Sequence, residues 1–422
     1  MSNAQAGTTG VFYGWWIVAV AMIGVSTSPQ PFVLGSLGLF MKPLSEEFGW
    51  SRSGISACVT VFTVASAVCF PLIGRMIDRF GARTILLPSM ICLAVLLSSI
   101  ALWVSDIWHL AAVFLLIGAL TAGSNTVSYV PVISAWFDRR RGLAIGLSIS
   151  GIGLGFFYVP LLVQFLIGAY SWRVAFFGLS AVIVFIAAPL IAFVMKESPG
   201  EMNLHPDGDT LSISTPARRQ PGLTTAEALR QPVFWRLFVT FVCLSFVLNG
   251  MLTHLVPMLT DRGDSTAYAA TVASIMGVTV FIGRIAIGLL VDRFFAPRVA
   301  TLIFGLSAIG LLLFALGASG AVAFLSAVFI GLSLGAELDL AAYLASRYFG
   351  LHSFASIYGI LLSGIVVGAG AAPVSFALWF DSSGSYTGIL AASVVLNLIA
   401  VALMTRATPF PQWQATAAHA EP

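Results

Sequence analysis

Twelve long apolar segments, separated by short polar stretches, constrain the fold of this chain more than any other feature. A membrane-spanning helix needs about 20 mostly apolar residues, and each segment reaches that length. Of the 422 residues, 59% are hydrophobic and only 9% are charged, whereas a water-soluble domain carries about 25% charged residues. The sequence therefore predicts an all-α membrane protein. Its predicted spans are 13–40, 53–76, 84–104, 108–136, 142–168, 173–195, 232–259, 267–291, 298–318, 321–346, 354–379 and 386–405.

The segment 196–231 differs from its surroundings because it is polar and rich in Pro, Ser and Thr. We expect a cytoplasmic linker here, joining an N-terminal six-helix bundle (1–195) to a C-terminal one (232–422). Cytoplasmic loops carry an excess of Lys and Arg. With both termini inside, fifteen basic residues fall on the inner side, four fall on the outer side, and Arg284 is left within a span. This asymmetry predicts a multi-pass protein of the cell (inner) membrane with both termini cytoplasmic.

An internal repeat relates the two halves. GRMIDRFGAR (74–83) is echoed by GLLVDRFFAPR (288–298), and a second echo joins SAWFDRRRGLAIG (134–146) to ASRYFGLHSFASIYG (345–359). Parallel repeats of this kind are typical of transporters whose substrate site lies at the interface of the halves, near the middle of the membrane.

The repeated loop has a physical interpretation as a latch. A small glycine permits close helix packing, and the aspartate four residues later can accept hydrogen bonds from a facing helix N-terminus and pair with arginines. The alternative is an ordinary charged loop that follows the positive-inside bias, but two copies at matching positions favour the latch. The predicted gating residues are Gly74, Asp78, Arg79, Gly288, Asp292 and Arg293.

These motifs carry a family resemblance. GRMIDRFGAR resembles the loop between helices 2 and 3 of the major facilitator superfamily. WFDRRRGLAIGLSISG (136–151) resembles the helix 4–5 signature of its monocarboxylate transporter branch, which includes bacterial relatives and the oxalate:formate antiporters. YGWWIVAVAMIG (13–24) and the pairing of HLVPMLTDRG (254–263) with FIGRIAIGLLVDRF (281–294) are similar to the same branch. The resemblance implies two pseudo-symmetric six-helix bundles and a transport function.

Three ionisable residues lie well inside predicted spans: Arg284 in helix 8, and Glu337 and Asp339 in helix 10. An arginine at the membrane centre costs roughly 2.5–3.5 kcal/mol, and Arg284 lies roughly 12 Å from the end of its helix, which is too deep for easy snorkelling. It could form a structural ion pair with helix 10, or bind an anion, because a guanidinium holds a carboxylate through two hydrogen bonds. The resemblance implies the second role, and both roles can alternate.

The charge count of this group bears on proton coupling. One arginine faces two acids, so an unpaired carboxylate in a medium of low dielectric is expected to hold a proton. Glu337 and Asp339 are two residues apart, about 200° around a helix, so both cannot face a cavity squarely. Alignment of the repeats pairs Glu337 with Asn125 of helix 4. This favours Glu337 as proton carrier or arginine partner and Asp339 as a packing or inter-helix hydrogen-bonding residue, with both kept as proton-coupling candidates.

Several uncharged polar residues are further candidates for the site. His254 lies in the outer third of helix 7 and could relay protons or bind substrate, since histidine titrates near neutral pH; alternatively, it bonds a neighbouring carbonyl. Asn125 and Tyr129 are four residues apart in helix 4, while Tyr358 and Gln30 lie in helices 11 and 1. Each could bond the substrate or simply hold helices together.

Helix 11 contains no Lys or Arg. The resemblance implies a lysine there in the oxalate:formate branch, where it would match a dianion, so a lone arginine favours a monoanion. We therefore predict a secondary active transporter of small monocarboxylates such as lactate or pyruvate, with proton symport, alternating access and a monomeric functional unit. Alternatives are proton-independent organic anion exchange of the oxalate/formate type and a non-transporting solute sensor.

Other classes of function are disfavoured. No nucleophile–base arrangement or metal-ligand spacing suggests an enzyme, a cofactor or a metal site. The four cysteines all lie in apolar segments, as small core residues do. The net charge of +3 is small and dispersed, which argues against a nucleic-acid partner.

Overall fold

The apolar segments form helices that run side by side in a computed structural model, which describes residues 12–208 and 222–411. Eleven described helices are long and apolar enough to cross a membrane, and one bent pair makes a twelfth span when counted together. Within those two ranges the only β-type pairing is an isolated bridge between Gly222 and Gly350. The predicted all-helical membrane fold is confirmed.

We number the spans in chain order. The first six are α1 (Gly14–Leu34), α2 (Arg52–Phe80), α3 (Ala82–Trp103), α4 (Ile107–Leu120 and Thr126–Trp136), α5 (Arg141–Ala169) and α6 (Trp172–Val194). The second six are α7 (Pro232–Asp261), α8 (Thr266–Arg293), α9 (Ala296–Ala315), α10 (Gly320–Phe349), α11 (Phe354–Ser383) and α12 (Thr387–Thr405). Shorter helices are Leu37–Phe48, Pro199–Met202, Pro206–Gly208 and Thr225–Arg230. We call the end of the bundle at which α1 begins and α12 ends the linker side, and the opposite end the far side.

The first span departs from its prediction. The sequence indicates one helix over 13–40, but the α-helix Gly14–Ser26 gives way to a π-helical turn, Gln30–Leu34, and a separate helix, Leu37–Phe48, follows. Pro29 and Pro31 lack backbone N–H donors, so the regular hydrogen-bond ladder is interrupted here. The second part of the predicted helix therefore lies outside the span.

The fourth span is broken, which the sequence prediction of one continuous helix over 108–136 missed. Its two parts meet at an angle of 57° around a 3₁₀ turn, Ala122–Ser124. Thr, Gly, Ser and Asn favour turns because they are poor helix formers or hydrogen-bond nearby backbone. Side chains satisfy the freed groups: Ser124 donates to the carbonyl of Thr121 at 2.7 Å, and Oδ1 of Asn125 accepts from the amide of Thr126 at 2.9 Å. Irregular backbone at membrane depth is tolerated where protein buries it.

The first six spans and the last six pack against each other mainly through two helix pairs, α2 with α11 and α5 with α8, with smaller contacts of α5 with α10 and α4 with α11. Glycines bring the backbones together. A Cβ on Gly74 would lie 2.3 Å from the carbonyl oxygen of Ala355, and one on Gly288 would lie 2.7 Å from that of Gly142. Both contacts are on the linker side, so the two sets of helices are in close contact there.

The described parts of the segment between α6 and α7, residues 195–208 and 222–231, contain three short helices. Capping boxes begin two of them, Ser198 with Glu201 and Thr224 with Glu227. The amide of Leu223 donates to the carbonyl of Phe349 at 2.8 Å, which ties this segment to the end of α10. Part of the predicted linker, residues 209–221, lies outside the described ranges.

Candidate substrate site and linker-side contacts

An ion pair lies between α8 and α10 in the membrane-spanning part of the molecule. Nη1 of Arg284 donates to Oδ1 of Asp339 at 3.1 Å, and the two side chains are only 10% and 4% exposed. The sequence favoured Glu337 as proton carrier or arginine partner, and the structure pairs the arginine with Asp339, whose expected roles included an inter-helix hydrogen bond. Glu337 and Asp339 point in different directions from α10 because they are two residues apart. The guanidinium reaches only one of them.

Glu337 lies on the side of α10 that faces α7. It is 3% exposed, and it lies near Ser245 of α7 while still within electrostatic range of Arg284. Over the described ranges, Oε1 of Glu337 and Oδ2 of Asp339 have no hydrogen-bond partner. One oxygen of each carboxyl group is thus unsatisfied, and a proton on that oxygen would let it donate a hydrogen bond. The cluster thus holds one fixed positive charge and two sites that can carry a proton.

Hydroxyl groups from both halves lie beside this cluster. Tyr358 of α11 is fully buried and is within electrostatic range of Arg284, Asp339 and Glu337. Its hydroxyl lies near that of Thr126, the first residue of the second part of α4. Helix N-termini at a break within a span carry partial positive charge and favour anions. The broken α4 therefore adds a weak positive potential beside Thr126 and Tyr358.

Two predicted site residues on α4 have different surroundings. Asn125 caps the second part of α4 and is 5% exposed, so it lies beside Thr126 in the candidate site. Tyr129 is fully buried within the first half, where its hydroxyl is 3.8 Å from the sulfur of Met90. A Cβ on Gly24 of α1 would lie 2.3 Å from the same hydroxyl oxygen. Tyr129 therefore packs between α1 and α3, and the shared helix face predicted for the pair does not bring both residues to the site.

Two further predicted residues, Gln30 and His254, make no hydrogen bond to the arginine within the part of the chain that the structure describes. Gln30 is in the π-helical turn of α1 and is partly exposed. Nε2 of His254 is 3.0 Å from the carbonyl oxygen of Pro373, and Nδ1 is 3.3 Å from the hydroxyl of Tyr386. The ring also stacks on Phe376, with centroids 5.6 Å apart. The geometry of His254 matches the alternative in which the histidine bonds a neighbouring carbonyl.

The two repeated aspartates make equivalent contacts between the halves on the linker side. Asp78 of α2 accepts hydrogen bonds from the amides of Ala355 and Ser356 at 3.0 and 2.8 Å, and from the Ser356 hydroxyl. Asp292 of α8 accepts from the amides of Gly142 and Leu143 at 2.7 and 3.0 Å. Each carboxylate thus caps the N-terminus of a helix in the other half, which the dipole of that helix favours.

The arginines that bridge the halves are not those predicted. Arg79 and Arg293 are exposed, whereas Arg347 of α10 donates to Oδ1 of Asp138 at 2.8 Å. Arg141 of α5, which is buried, lies 3.3 Å from the hydroxyl of Ser346. These arginines and their partners lie in the second repeated pair of segments, 134–146 and 345–359. That pair indicated symmetry between the halves, and its charged residues were also the available signal for these contacts.

Sequence reasoning also missed the glycines of α5. A Cβ on Gly146 would lie 2.8 Å from the carbonyl oxygen of Arg284 and 3.4 Å from Oδ2 of Asp339. Gly146 therefore places α5 of the first half directly against the ion pair of the second half. The spacing of Gly142 and Gly146, one helical turn, was the available signal.

Taken together, the cluster can bind a small anion and exchange a proton. A guanidinium supplies the anion contact, two carboxylates can hold protons, and hydroxyls from both halves can donate or accept hydrogen bonds. Among the residues described, no group of three or more His, Cys, Asp or Glu side chains could hold a metal ion. A polar site between two repeated helix sets, with helix-capping contacts on one side, is the arrangement of a membrane transporter.

The chain belongs to the Major Facilitator Superfamily, whose family model matches residues 7–373. This confirms the resemblance drawn from the motifs. The oxalate:formate antiporter of Oxalobacter formigenes is 29% identical over 380 residues, which cover 85% of this chain and 84% of the relative. Members of this family are transporters, and the chain is a multi-pass membrane transporter rather than an enzyme.

Other similarities agree with this family. Monocarboxylate transporter 13 of Bos taurus is 28% identical over 291 residues, covering 68% of this chain and 63% of the relative, so the chain spans less than two thirds of that protein. The crystal structure of the human organic anion transporter MFSD10 (TETRAN) superposes with a TM-score of 0.68 at 16% identity, covering 93% of this chain and 99% of that one. At this identity the likeness shows the fold alone.

Proposed function

We propose that this protein is a secondary active transporter of small monocarboxylates that carries one proton with each substrate by alternating access. The observation that carries the proposal is the buried guanidinium of Arg284, which pairs with Asp339, has Glu337 within electrostatic range and lies where the two helix sets meet. The relatives named as monocarboxylate transporters and as an oxalate:formate antiporter support the choice of organic anions.

The charge of the cluster favours a monoanion. α11 contains no Lys or Arg, so Arg284 is the single cation that its own span and α10–α11 offer at this depth. A monocarboxylate satisfies one guanidinium through two hydrogen bonds, whereas a second carboxylate on the same molecule would be buried without a cation. Burying an unpaired charge is costly. The proposed substrates are therefore lactate-like and pyruvate-like acids rather than dicarboxylates.

The charges of Arg284, Glu337 and Asp339 also explain why a proton would bind together with the substrate. In the empty site, Arg284 pairs with ionised Asp339, and Glu337 holds a proton, so the cluster is neutral. An arriving carboxylate competes with Asp339 for the guanidinium, which would leave that acid buried and unpaired. Protonation of Asp339 as the substrate binds keeps the cluster neutral. One proton is thus bound with each monoanion.

The proposed conformational change involves the contacts on the linker side. In the present conformation Asp78 and Asp292 each cap a helix of the opposite half, which holds the linker side closed. Release of these caps would let the halves rock and open the site to the linker side. In this proposal the substrate contacts both Arg284 of the second half and groups on α4 of the first half. Its binding would therefore change the contacts of both halves at once.

We further propose that the linker side is cytoplasmic, with both termini there, in the cell (inner) membrane. The support is the excess of Lys and Arg in the loops of that side. Residues 1–195 and 232–422 form the two moving bundles in this proposal, 196–231 joins them, and a single chain is the functional unit.

The proposal is tested by uptake of radiolabelled lactate into proteoliposomes with an inwardly directed proton gradient. Uptake should rise with the gradient and be lost in Arg284→Ala. The matched control is Arg262→Ala, which removes another arginine of the second half, one that donates to the carbonyl of Phe314 on the far side. This control should retain uptake. Undiminished uptake in Arg284→Ala would contradict the role of the arginine.

The same vesicles separate the alternatives. Uptake that ignores the proton gradient but rises when unlabelled organic anion is loaded inside would indicate exchange. Lactate binding by the purified protein without any uptake would indicate a sensor.

A further inference from the structure

We propose that the hydroxyls of Thr126 and Tyr358 form a second subsite, which selects monocarboxylates that carry an additional hydroxyl or carbonyl oxygen. This inference rests on the proposed function, because it assumes that Arg284 holds the carboxylate. Thr126 comes from α4 of the first half and Tyr358 from α11 of the second. The subsite is therefore shared by the two halves.

Both hydroxyls are buried without a partner. Thr126 is 1% exposed and Tyr358 is fully buried, and neither hydroxyl oxygen forms a hydrogen bond within residues 12–208 and 222–411. Thr126 lies close enough to Tyr358 to act on its hydroxyl, but the distance and angles between the two groups do not meet those of a hydrogen bond. A buried hydroxyl without a partner is costly, and such groups in native proteins are nearly always satisfied. A ligand oxygen placed between them would satisfy both.

The position of the pair connects it to the anion site. Tyr358 is within electrostatic range of Arg284, Asp339 and Glu337, and α11 packs against the second part of α4. The ring of Tyr358 stacks on that of Phe354, with centroids 5.8 Å apart and planes 2° from parallel, which fixes its direction. One small molecule can therefore hold its carboxylate on the guanidinium and present an oxygen to the hydroxyls.

The chemistry of a hydroxyl decides which acids are selected. It can donate to a carbonyl oxygen or accept from another hydroxyl, so both hydroxy and oxo acids fit. An acid with a plain alkyl chain leaves both groups unpaired. A site built to hydrogen-bond a substrate oxygen discriminates strongly against the analogue that lacks it.

Lactate and propionate test the inference because they differ by one hydroxyl and are both monoanions. Binding to the purified full-length protein is measured by isothermal titration. The protein should bind lactate at least about tenfold more tightly than propionate. Tyr358→Phe and Thr126→Val should each weaken lactate binding about three- to tenfold and leave the affinity for propionate unchanged. Thr126→Ser keeps the hydroxyl and should preserve the ratio of the two affinities.

The controls separate this inference from the proposed function. Tyr268→Phe removes a hydroxyl that donates to the carbonyl of Gly320 on the far side, and the ratio should not change. Equal affinities for the two acids in the native protein would overturn the proposed subsite assignment. Equal loss of affinity for both acids in Tyr358→Phe and Thr126→Val would overturn it as well. If neither acid binds, or if Arg284→Ala binds both as the native protein does, it is the proposed function that fails.

Discussion

Gly142→Ala should open the linker side of the transporter. A Cβ at this position would lie 2.5 Å from the carbonyl oxygen of Gly288, so α5 and α8 must separate by roughly 0.9 Å to reach the 3.4 Å of ordinary contact. The hydrogen bonds from the amides of Gly142 and Leu143 to Asp292, now 2.7 and 3.0 Å, would lengthen past the useful range. Bonds to a charged group contribute about 1.5–3 kcal/mol each.

Loss of about 3 kcal/mol from the closed conformation shifts the ratio of closed to open molecules roughly 100-fold. The assay is a distance distribution between spin labels at Thr84 of α3 and Arg298 of α9. Both residues are exposed, and they lie at the linker-side ends of opposite halves. We expect Gly142→Ala to move the population to longer distances.

The matched control is Gly153→Ala on the same helix, because a Cβ there would meet no atom within 4 Å. Its distance distribution should equal that of the native protein. An unchanged distribution in Gly142→Ala, or an equal shift in both variants, would refute the account of the linker-side contact.

Two further predictions concern residues away from the central site. Hydrogen bonds from Arg173 and then Trp172 hold the pKa of Glu47 below its ordinary value, so this stabilisation is present above the unfolded-state pKa, about 4.3, and is lost as the pH falls through the folded value. Glu47→Gln should therefore unfold at a lower temperature than the native protein at neutral pH, and this difference should shrink as the pH is lowered through the acidic range; a difference that does not change with pH would contradict this. His254→Phe should lose the polar contacts of the ring, including that to Pro373, and unfold several degrees lower while keeping gradient-driven uptake; lost uptake at unchanged stability would instead make His254 a proton relay.

The sequence was sufficient for the number of spans and their repeat relation, because length and apolarity decide what can cross a bilayer. The break in α4 was less visible. Thr121–Asn125 reads TAGSN, a run of small and polar residues inside an apolar segment, and hydropathy alone does not distinguish a bent span from a straight one. Turn-forming side chains that bond their own backbone were the available signal.

The site was harder to assemble because a membrane helix is apolar on its lipid face and on most of its packed face. Periodicity therefore does not show which residues point inward. Arg284 could be identified from charge alone, but the choice between Glu337 and Asp339 depends on the rotation of α10. Thr126 was missed since one threonine beside an asparagine carries no distinctive pattern.

The most direct test of proton-coupled monocarboxylate binding is a count of protons taken up as lactate binds. Isothermal titration of the purified protein in two buffers of different ionisation enthalpy gives this number from the difference in heat. We expect about one proton per lactate in the native protein, because the buried cluster must stay neutral. Replacing both acids, Glu337→Gln with Asp339→Asn, should bring the number close to zero with binding to Arg284 retained. Lactate binding by the native protein with no proton taken up would contradict the account.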